Sequence, residues 1–309
     1  MKELIATAAI AGLLTLPITE TGSATQFPIT AETSSAAPET VKFFNEYFSA
    51  KSRHDASATM EYFSPNLLTY TDAVLGWPLD GFDSLKSVFA EAMPKWGSGQ
   101  SYPFRIIGGP DSAVVAFIDT PELFGGEIRL LGAVDFQDGK IVRWVDYWDS
   151  TGFPTEAYHA MRTPPEKFPT DLKERSISDN AAPEIVKTAE TLQQSLSKGD
   201  PRPLDELLSY DVVYEDLALR TQLLGRDAVV RYLNRVSQVA PFAKDSVLLH
   251  VVGGKNGGGY EWLGKDIRGI TAIELDVAGK VARITHAYDG RLLSPDRHRE
   301  FVGLSAEQQ

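Results

Sequence analysis

The sequence predicts a tandem α+β protein, two cone-shaped α+β barrels, each with three N-terminal helices packed on a strongly curved, mostly antiparallel sheet. Three observations carry this. The segment AAPETVK at 36–42 returns as AAPEIVK at 181–187, with six identities in seven. Matching residues then follow in the same order at an offset near 145. Within each copy, helical periodicity comes first and strand alternation second, the order of an α+β unit.

The matches run the length of the copies. Asp55, Glu61 and Ser64 meet Asp200, Glu206 and Ser209. After one dropped residue, Tyr70 and Asp72 meet Tyr214 and Asp216, and Gly81-x-Asp83 meets Gly225-x-Asp227. IIGG at 106–109 meets VVGG at 251–254, EIR at 127–129 meets DIR at 266–268, and GKIVR at 139–143 meets GKVAR at 279–283. Each match is short; their common order marks a duplication.

Pro38 and Pro183 suit a first helical turn, and Val41, Phe44, Tyr47 and Phe48 form an apolar stripe at helical spacing. A second helix is predicted near 56–63 (204–209 in the second copy) and a third near 83–93 (227–237), with a strand carrying Tyr-x-Asp between them. Four strands follow near 102–108, 112–119, 127–137 and 140–149, the last two joined by the hairpin signal QDGK, which is VAGK in the second copy. About 115 residues cannot cover a flat sheet with three helices, so the sheet is expected to curl into a cone with a pocket inside. The domains are expected at 38–152 and 181–293, with a proline-rich linker at 153–180 and a tail at 294–309.

Lys2, an apolar run from about Leu4 to Ile18, and Gly22-Ser23-Ala24 read as a signal peptide at 1–24, which predicts a secreted or periplasmic protein. Residues 25–37, rich in Thr, Ser, Ala and Pro, read as a flexible lead-in. No other segment is long and apolar enough to span a bilayer, so no membrane contact is expected once the signal is removed. A net charge of −12 weighs against nucleic acid and anionic membrane partners. Without cysteine there are no disulfides, thiol nucleophiles or Cys-ligated zinc, and the five histidines are too dispersed for a metal site. No cofactor is expected.

The chemistry concentrates in IVRWVDYWDS at 141–150, where alternation puts Trp144, Asp146 and Trp148 on one face and Arg143, Val145, Tyr147 and Asp149 on the other. A carboxyl walled by indoles gains proton affinity, which suits a general acid or base near neutral pH. Tyr70 and Asp72 share a face, as do Glu127 and Arg129, and a neighbouring Arg would hold a second carboxylate ionised. The second copy keeps Tyr214, Asp216, Asp266 and Arg268 but has His286, between Ile284 and Tyr288, where the first has Asp146. An Asp216–His286 base dyad and a merely supporting histidine both remain open. Trp77, between Gly76 and Pro78, reads as a loop residue over the pocket mouth, and Asp149 and Asp289 as strand-end residues that cap the strand or pair with an arginine.

GKIVRWVDYWD closely resembles the final-strand pattern of the nuclear transport factor 2-like superfamily, in its SnoaL-like and limonene-epoxide-hydrolase-like branch. The resemblance covers roughly 40–150 and 183–293. It implies the cone fold. In epoxide hydrolases of this branch, an Asp-Arg-Asp set with a Tyr and an Asn activates water and protonates the epoxide oxygen. By position Asp146 matches the final-strand Asp, Tyr70 the Tyr and Asp72 the Asn, and Arg129 takes the Arg position, with the order Glu-x-Arg in place of Arg-x-Asp. Other members cyclise polyketides or isomerise double bonds, and none uses a metal.

The expected catalytic residues are therefore Asp146, Asp72, Arg129 and Tyr70, with His286 and Asp216 in the second copy. Trp144, Trp148, Trp77, Tyr214, Arg268 and Tyr288 are expected to contact substrate. The expected activity is cofactor-independent acid–base catalysis by an isomerase, cyclase or epoxide hydrolase on a hydrophobic polyketide- or terpene-like molecule. The alternative is a non-catalytic binding or interaction protein using the same pocket. The two copies are expected to pair as an internal pseudo-dimer, with homo-oligomers a further option.

Overall fold

A computed structural model describes residues 27–305. The signal segment read at 1–24 lies outside the described residues. The first half runs α1 (Pro38–Ser52), α2 (Ala56–Met60), β1 (Thr69–Asp72), β2 (Trp77–Leu79), α3 (Phe82–Ala92), β3 (Ser101–Gly108), β4 (Ser112–Asp119), α4 (Pro121–Phe124), β5 (Ile128–Gln137) and β6 (Lys140–Trp148). After α5 (Thr155–Met161), the second half follows as α6 (Pro183–Lys198), α7 (Arg202–Leu207), β7 (Leu208–Asp216), β8 (Thr221–Leu224), α8 (Arg226–Val236), β9 (Val247–Gly254), β10 (Gly257–Leu263), β11 (Arg268–Leu275) and β12 (Val281–Tyr288). Helix α9 (Pro295–Ser305) ends the described chain.

Each half builds one six-stranded mixed sheet, in the orders β2-β1-β6-β5-β4-β3 and β8-β7-β12-β11-β10-β9. Among the described residues, the parallel strand pairs in the two sheets are β1 with β6 and β7 with β12. That register sets Tyr70 beside Trp144 and Asp72 beside Asp146, and in the second half Tyr214 beside Ile284 and Asp216 beside His286. Register shifts after Pro103 and after Asp135 mark irregularities of the bulge type that bend a sheet toward its helices. The two halves thus repeat one α+β architecture, with helices before and beside a six-stranded mixed sheet.

Among the described residues, three apolar clusters form the core. One fills each cone, around Phe44, Phe48 and Trp144 in the first and Leu192, Tyr214 and Trp262 in the second. The third lies between the outer faces of the two sheets, where Val114, Val145 and Tyr147 meet Val252, Ile270 and Ala287. Strand ends also cross: Ser150 Oγ donates to Asp289 at 2.6 Å, and Gly290 N donates to Asp149 at 3.1 Å.

Several segments differ from the sequence reading because their structure depends on distant partners. Residues 32–37, expected to be flexible, run parallel to β3, with Glu32 N donating to Phe104 O and Ala37 N to Gly108 O at 2.9 Å each. They cover an edge that would otherwise expose unpaired backbone. Trp77 belongs to edge strand β2, paired with Asp72, and not to a loop. The segment expected to be a linker is bound to the first half. Thr163 N donates to Leu75 O at 2.8 Å, and the Phe168 ring fills the space beside Gly76, whose positive φ of 72° suits glycine.

Candidate active site

The first cone encloses a cavity of ≈ 200 Å³. Sheet residues Tyr70, Asp72, Trp77, Asp119, Leu130 and Asp146 line it, with Lys51, Phe89 and Trp96 from the helical side and Met161 from α5. Trp77 Nε1 donates to Met161 O at 2.6 Å, so β2 and α5 close the mouth together.

Asp146 is buried at 3 % exposure, and Trp144 Nε1 donates to its Oδ1 at 2.5 Å. Opposite it on β5 stands Gly132, where a Cβ would come within 3.0 Å of Trp144 Nε1 and 3.1 Å of Asp146 Oδ1. Glycine leaves room for the carboxyl–indole contact. Burial pushes the Asp146 carboxyl up to about 8, against the opposing effect of the Trp144 bond, and the neighbouring Asp72 adds to the rise. It is therefore mostly protonated at neutral pH, with an appreciable ionised fraction. Tyr70 stacks on Trp144 at 5.6 Å, and its phenol is pushed well up by burial and by the Asp146 carboxylate.

Asp72 is engaged differently. Its Oδ1 accepts from Val74 N and Leu75 N at 2.8 Å each, and its Oδ2 from Trp148 Nε1 at 3.0 Å. Burial raises its carboxyl to about 6 despite these bonds. Asp216 repeats the device, accepting from Leu219 N at 2.9 Å and Tyr288 Oη at 3.0 Å, and burial raises it to about 7. In both halves this aspartate ties the turn after the first strand to the aromatic that ends the last strand. Trp144 and Trp148 thus support the two acids through their indole N–H groups and do not appear on the cavity wall.

The sequence reading missed an ion pair on that wall. Lys51 Nζ lies 3.5 Å from Asp119 Oδ1, and both side chains are nearly inaccessible. The signal was present: Lys51 sits seven residues after Phe44, on the same buried stripe of α1.

Arg129, assigned to the site by position, is placed outside it. Ile128 and Leu130 face the cavity, so alternation turns Arg129 outward, where its Nε donates to Glu127 at 2.8 Å. The side chain is 64 % exposed. The Asp-Arg-Asp set is therefore not assembled. Arg268 is likewise on the outer side, bound to Glu174 and to Thr170 O.

The second cone is arranged otherwise. Phe242, from a loop where the first half has Gly97-Ser98-Gly99, lies parallel to the His286 ring at 3.8 Å. Tyr232, Tyr260 and Trp262 stand at the repeat positions of Val88, Val115 and Phe117, adding ring volume inside. Phe301 of α9 follows β12 by the same thirteen residues as Met161 follows β6, and packs 6.2 Å from Phe242. His286 Nδ1 bonds Thr271 Oγ1 at 2.8 Å, whereas Nε2 and the hydroxyls of Tyr214, Tyr232 and Tyr260 have no hydrogen-bond partner. Burial alone lowers the imidazole to about 3, so it stays neutral. Asp216 and His286 are register partners, but no hydrogen bond joins them, and the dyad is not formed.

Among the described residues, no group of three or more His, Asp or Glu side chains is placed to hold a metal ion, and no helix is long and apolar enough to cross a membrane.

Fold and site together define a tandem α+β protein with a cavity in its first cone and added aromatic rings in its second. Solved structures similar to one copy at a time include a steroid delta-isomerase from Pseudomonas aeruginosa, 16 % identical over 41 % of this chain and 93 % of that one, at a TM-score of 0.33. A SnoaL-like protein of unknown function from Burkholderia thailandensis is 10 % identical over 35 % of this chain and 96 % of its own, at 0.31. A putative polyketide cyclase from Sinorhizobium meliloti is 24 % identical over 34 % and 93 %, at 0.30. No protein-family model matches the sequence, and no curated protein matches it.

Proposed function

We propose that the first half is a cofactor-independent acid–base enzyme that moves a proton on a small, largely apolar carbonyl compound, as an isomerase or cyclase. The observation that carries this is Asp146, a buried carboxyl held near 8 on the wall of an otherwise mainly carbon-lined cavity. A carboxylate of that basicity removes a proton from a carbon next to a carbonyl far better than an ordinary one, and returns it to another carbon. Tyr70, beside Asp146, supplies a hydroxyl donor. Epoxide opening fits less well, because it relies on the arginine position that Arg129 does not fill. The second half supports the first through the shared sheet interface.

Deuterium incorporation into acetophenone or a cyclohexenone in D₂O, followed by proton NMR, tests the activity. Exchange above the buffer rate should rise as pH rises through about 8, where Asp146 ionises. Exchange no faster than buffer for a panel of ketones that bind the cavity would sink the reading. We further propose export, from the order Lys2, apolar run, Gly22-Ser23-Ala24. N-terminal sequencing of the protein from its host should give a start near Thr25, and an intact Met1 would refute it.

A further inference from the structure

Lys51 and Asp119 face the cavity, yet the proton transfer assigned to Asp146 does not use them. Their side chains are 4 % and 6 % exposed, and the ion pair is long at 3.5 Å. Asp119 Oδ1 accepts no hydrogen bond. The ammonium's other neighbours are the rings of Phe117 and Phe48, at 5.1 and 5.9 Å. An ammonium carries three donors and a carboxylate about four acceptor sites, and buried ions normally fill them. This pair has capacity left on the cavity side.

The fold does not require the pair. By the repeat offset, Leu196 and Gly264 occupy the two positions in the second half, which forms the same elements in the same sheet order. A buried ion pair contributes little stability over apolar residues of similar size. It is present in the half with the cavity described above and absent from the half whose interior carries the added rings of Tyr232, Phe242, Tyr260 and Trp262.

Charge balance and size then define what it takes. Lys51 and Asp119 cancel, and Asp146 is mostly neutral at neutral pH. An anionic or cationic ligand would add an uncompensated charge to an apolar enclosure. A neutral ligand offering an acceptor to Lys51 and a donor to Asp119 completes both, and a carbonyl with a hydroxyl one or two carbons away does so. The cavity is ≈ 200 Å³, and about 150 Å³ suffices for benzene, so one six-membered ring with a short polar substituent fits. We infer that the Lys51–Asp119 pair docks the neutral hydroxy-carbonyl edge of a one-ring substrate, which rests on the reading of the first cone as a proton-transfer site. When the carbon beside the carbonyl loses its proton to Asp146, the C–H pair moves onto the carbonyl oxygen as an enolate, and Lys51 stabilises that charge until Asp146 returns the proton to carbon.

The test titrates four probes against tryptophan fluorescence, since Trp77 and Trp96 line the cavity: α-hydroxyacetophenone, acetophenone, ethylbenzene and benzoate. The hydroxyketone should bind roughly ten- to a hundredfold tighter than ethylbenzene, with acetophenone between and benzoate no tighter than ethylbenzene. Lys51→Leu combined with Asp119→Ala, which keeps the charge balance, should retain ethylbenzene binding and bring the hydroxyketone within about twofold of it. Equal affinities for all four probes in the wild-type protein overturn the inference, as does a preference that survives in the double variant. The wild-type order decides alone should the double variant not fold. Asp146→Asn separates the two readings: a preserved probe order with deuterium exchange lost upholds both, and preserved exchange refutes the proton-transfer reading while the probe order still decides docking.

Discussion

Asp146→Asn should lower turnover by about 10²–10⁴-fold while leaving the fold intact and its melting temperature at or above the wild-type value. The amide keeps the carboxyl's shape and can still accept from Trp144 Nε1, so the packing around Gly132 is preserved. It cannot exchange a proton. The stability gain has a definite pH dependence. The folded-state value of Asp146 lies near 8, above its ordinary 3.8, so its contribution is fully present below about pH 4 and is lost as pH rises through about 8. Each unit of upward shift costs ~1.4 kcal/mol once the group is ionised in both states. Asp72 and Asp216, held near 6 and 7, act in the same direction, whereas the lowered Glu215 and Glu261 weaken the fold only as pH falls. The difference in melting temperature between wild type and Asp146→Asn, measured at pH 5 and pH 9, isolates one group and should widen at pH 9. His286→Asn serves as the control, because a buried imidazole lowered to about 3 and covered by Phe242 is too weak a base to take a proton near neutral pH, and turnover should not change. Near-normal turnover by Asp146→Asn would rule the aspartate out as the acid–base group.

What the sequence made legible followed from local periodicity. The duplicated order of helices and strands, and the alternation that turns Trp144, Asp146 and Trp148 inward, depend on near neighbours alone, and β3 to β6 lie within a residue of the ends predicted for them. Arg129 was misplaced although the same rule would have placed it, since apolar Ile128 and Leu130 occupy the inward positions on either side. Lys51 was legible by comparing copies: a lysine on a buried stripe stands where the other copy has Leu196. The remainder was not local. Strand β2 exists through pairing with β1, the chain just after α5 is tied to Val74 and Leu75 by Arg162 and Thr163, and the surroundings of His286 depend on Phe242 from a loop 44 residues earlier. No window along the chain contains those contacts.

Arg143→Met should destabilise the protein by about 3–5 kcal/mol, the cost of leaving buried carboxylates without their cation. Arg143 points away from the cavity, into the layer between the two sheets, and is fully inaccessible. Its Nη1 donates to Asp135 at 3.2 Å, its Nη2 to Glu261 Oε1 of the second half at 2.9 Å, and its Nε to Leu172 O of the connecting segment at 2.8 Å. Tyr147 Oη donates to the same Glu261 oxygen at 2.6 Å, and His250 bonds Asp135 at 2.9 Å. Burial opposes the charges of Arg143, Glu261 and His250. The attraction of Glu261 and Asp135 nevertheless holds the guanidinium charged, and Arg143 in turn keeps Glu261 below its ordinary range. One side chain therefore ties the first sheet, the connecting segment and the second sheet together. Methionine fills much of its volume but supplies no donor, leaving Glu261 with Tyr147 alone and Asp135 with His250. The melting temperature should fall by on the order of 10 °C. Adding Glu261→Leu and Asp135→Asn to Arg143→Met removes the stranded charges and should recover most of the loss, because apolar replacement of a whole buried ion cluster is often close to neutral. If Arg143→Met melts within about 1 kcal/mol of wild type, or if the triple variant is weaker than the single one, this cluster does not hold the halves together.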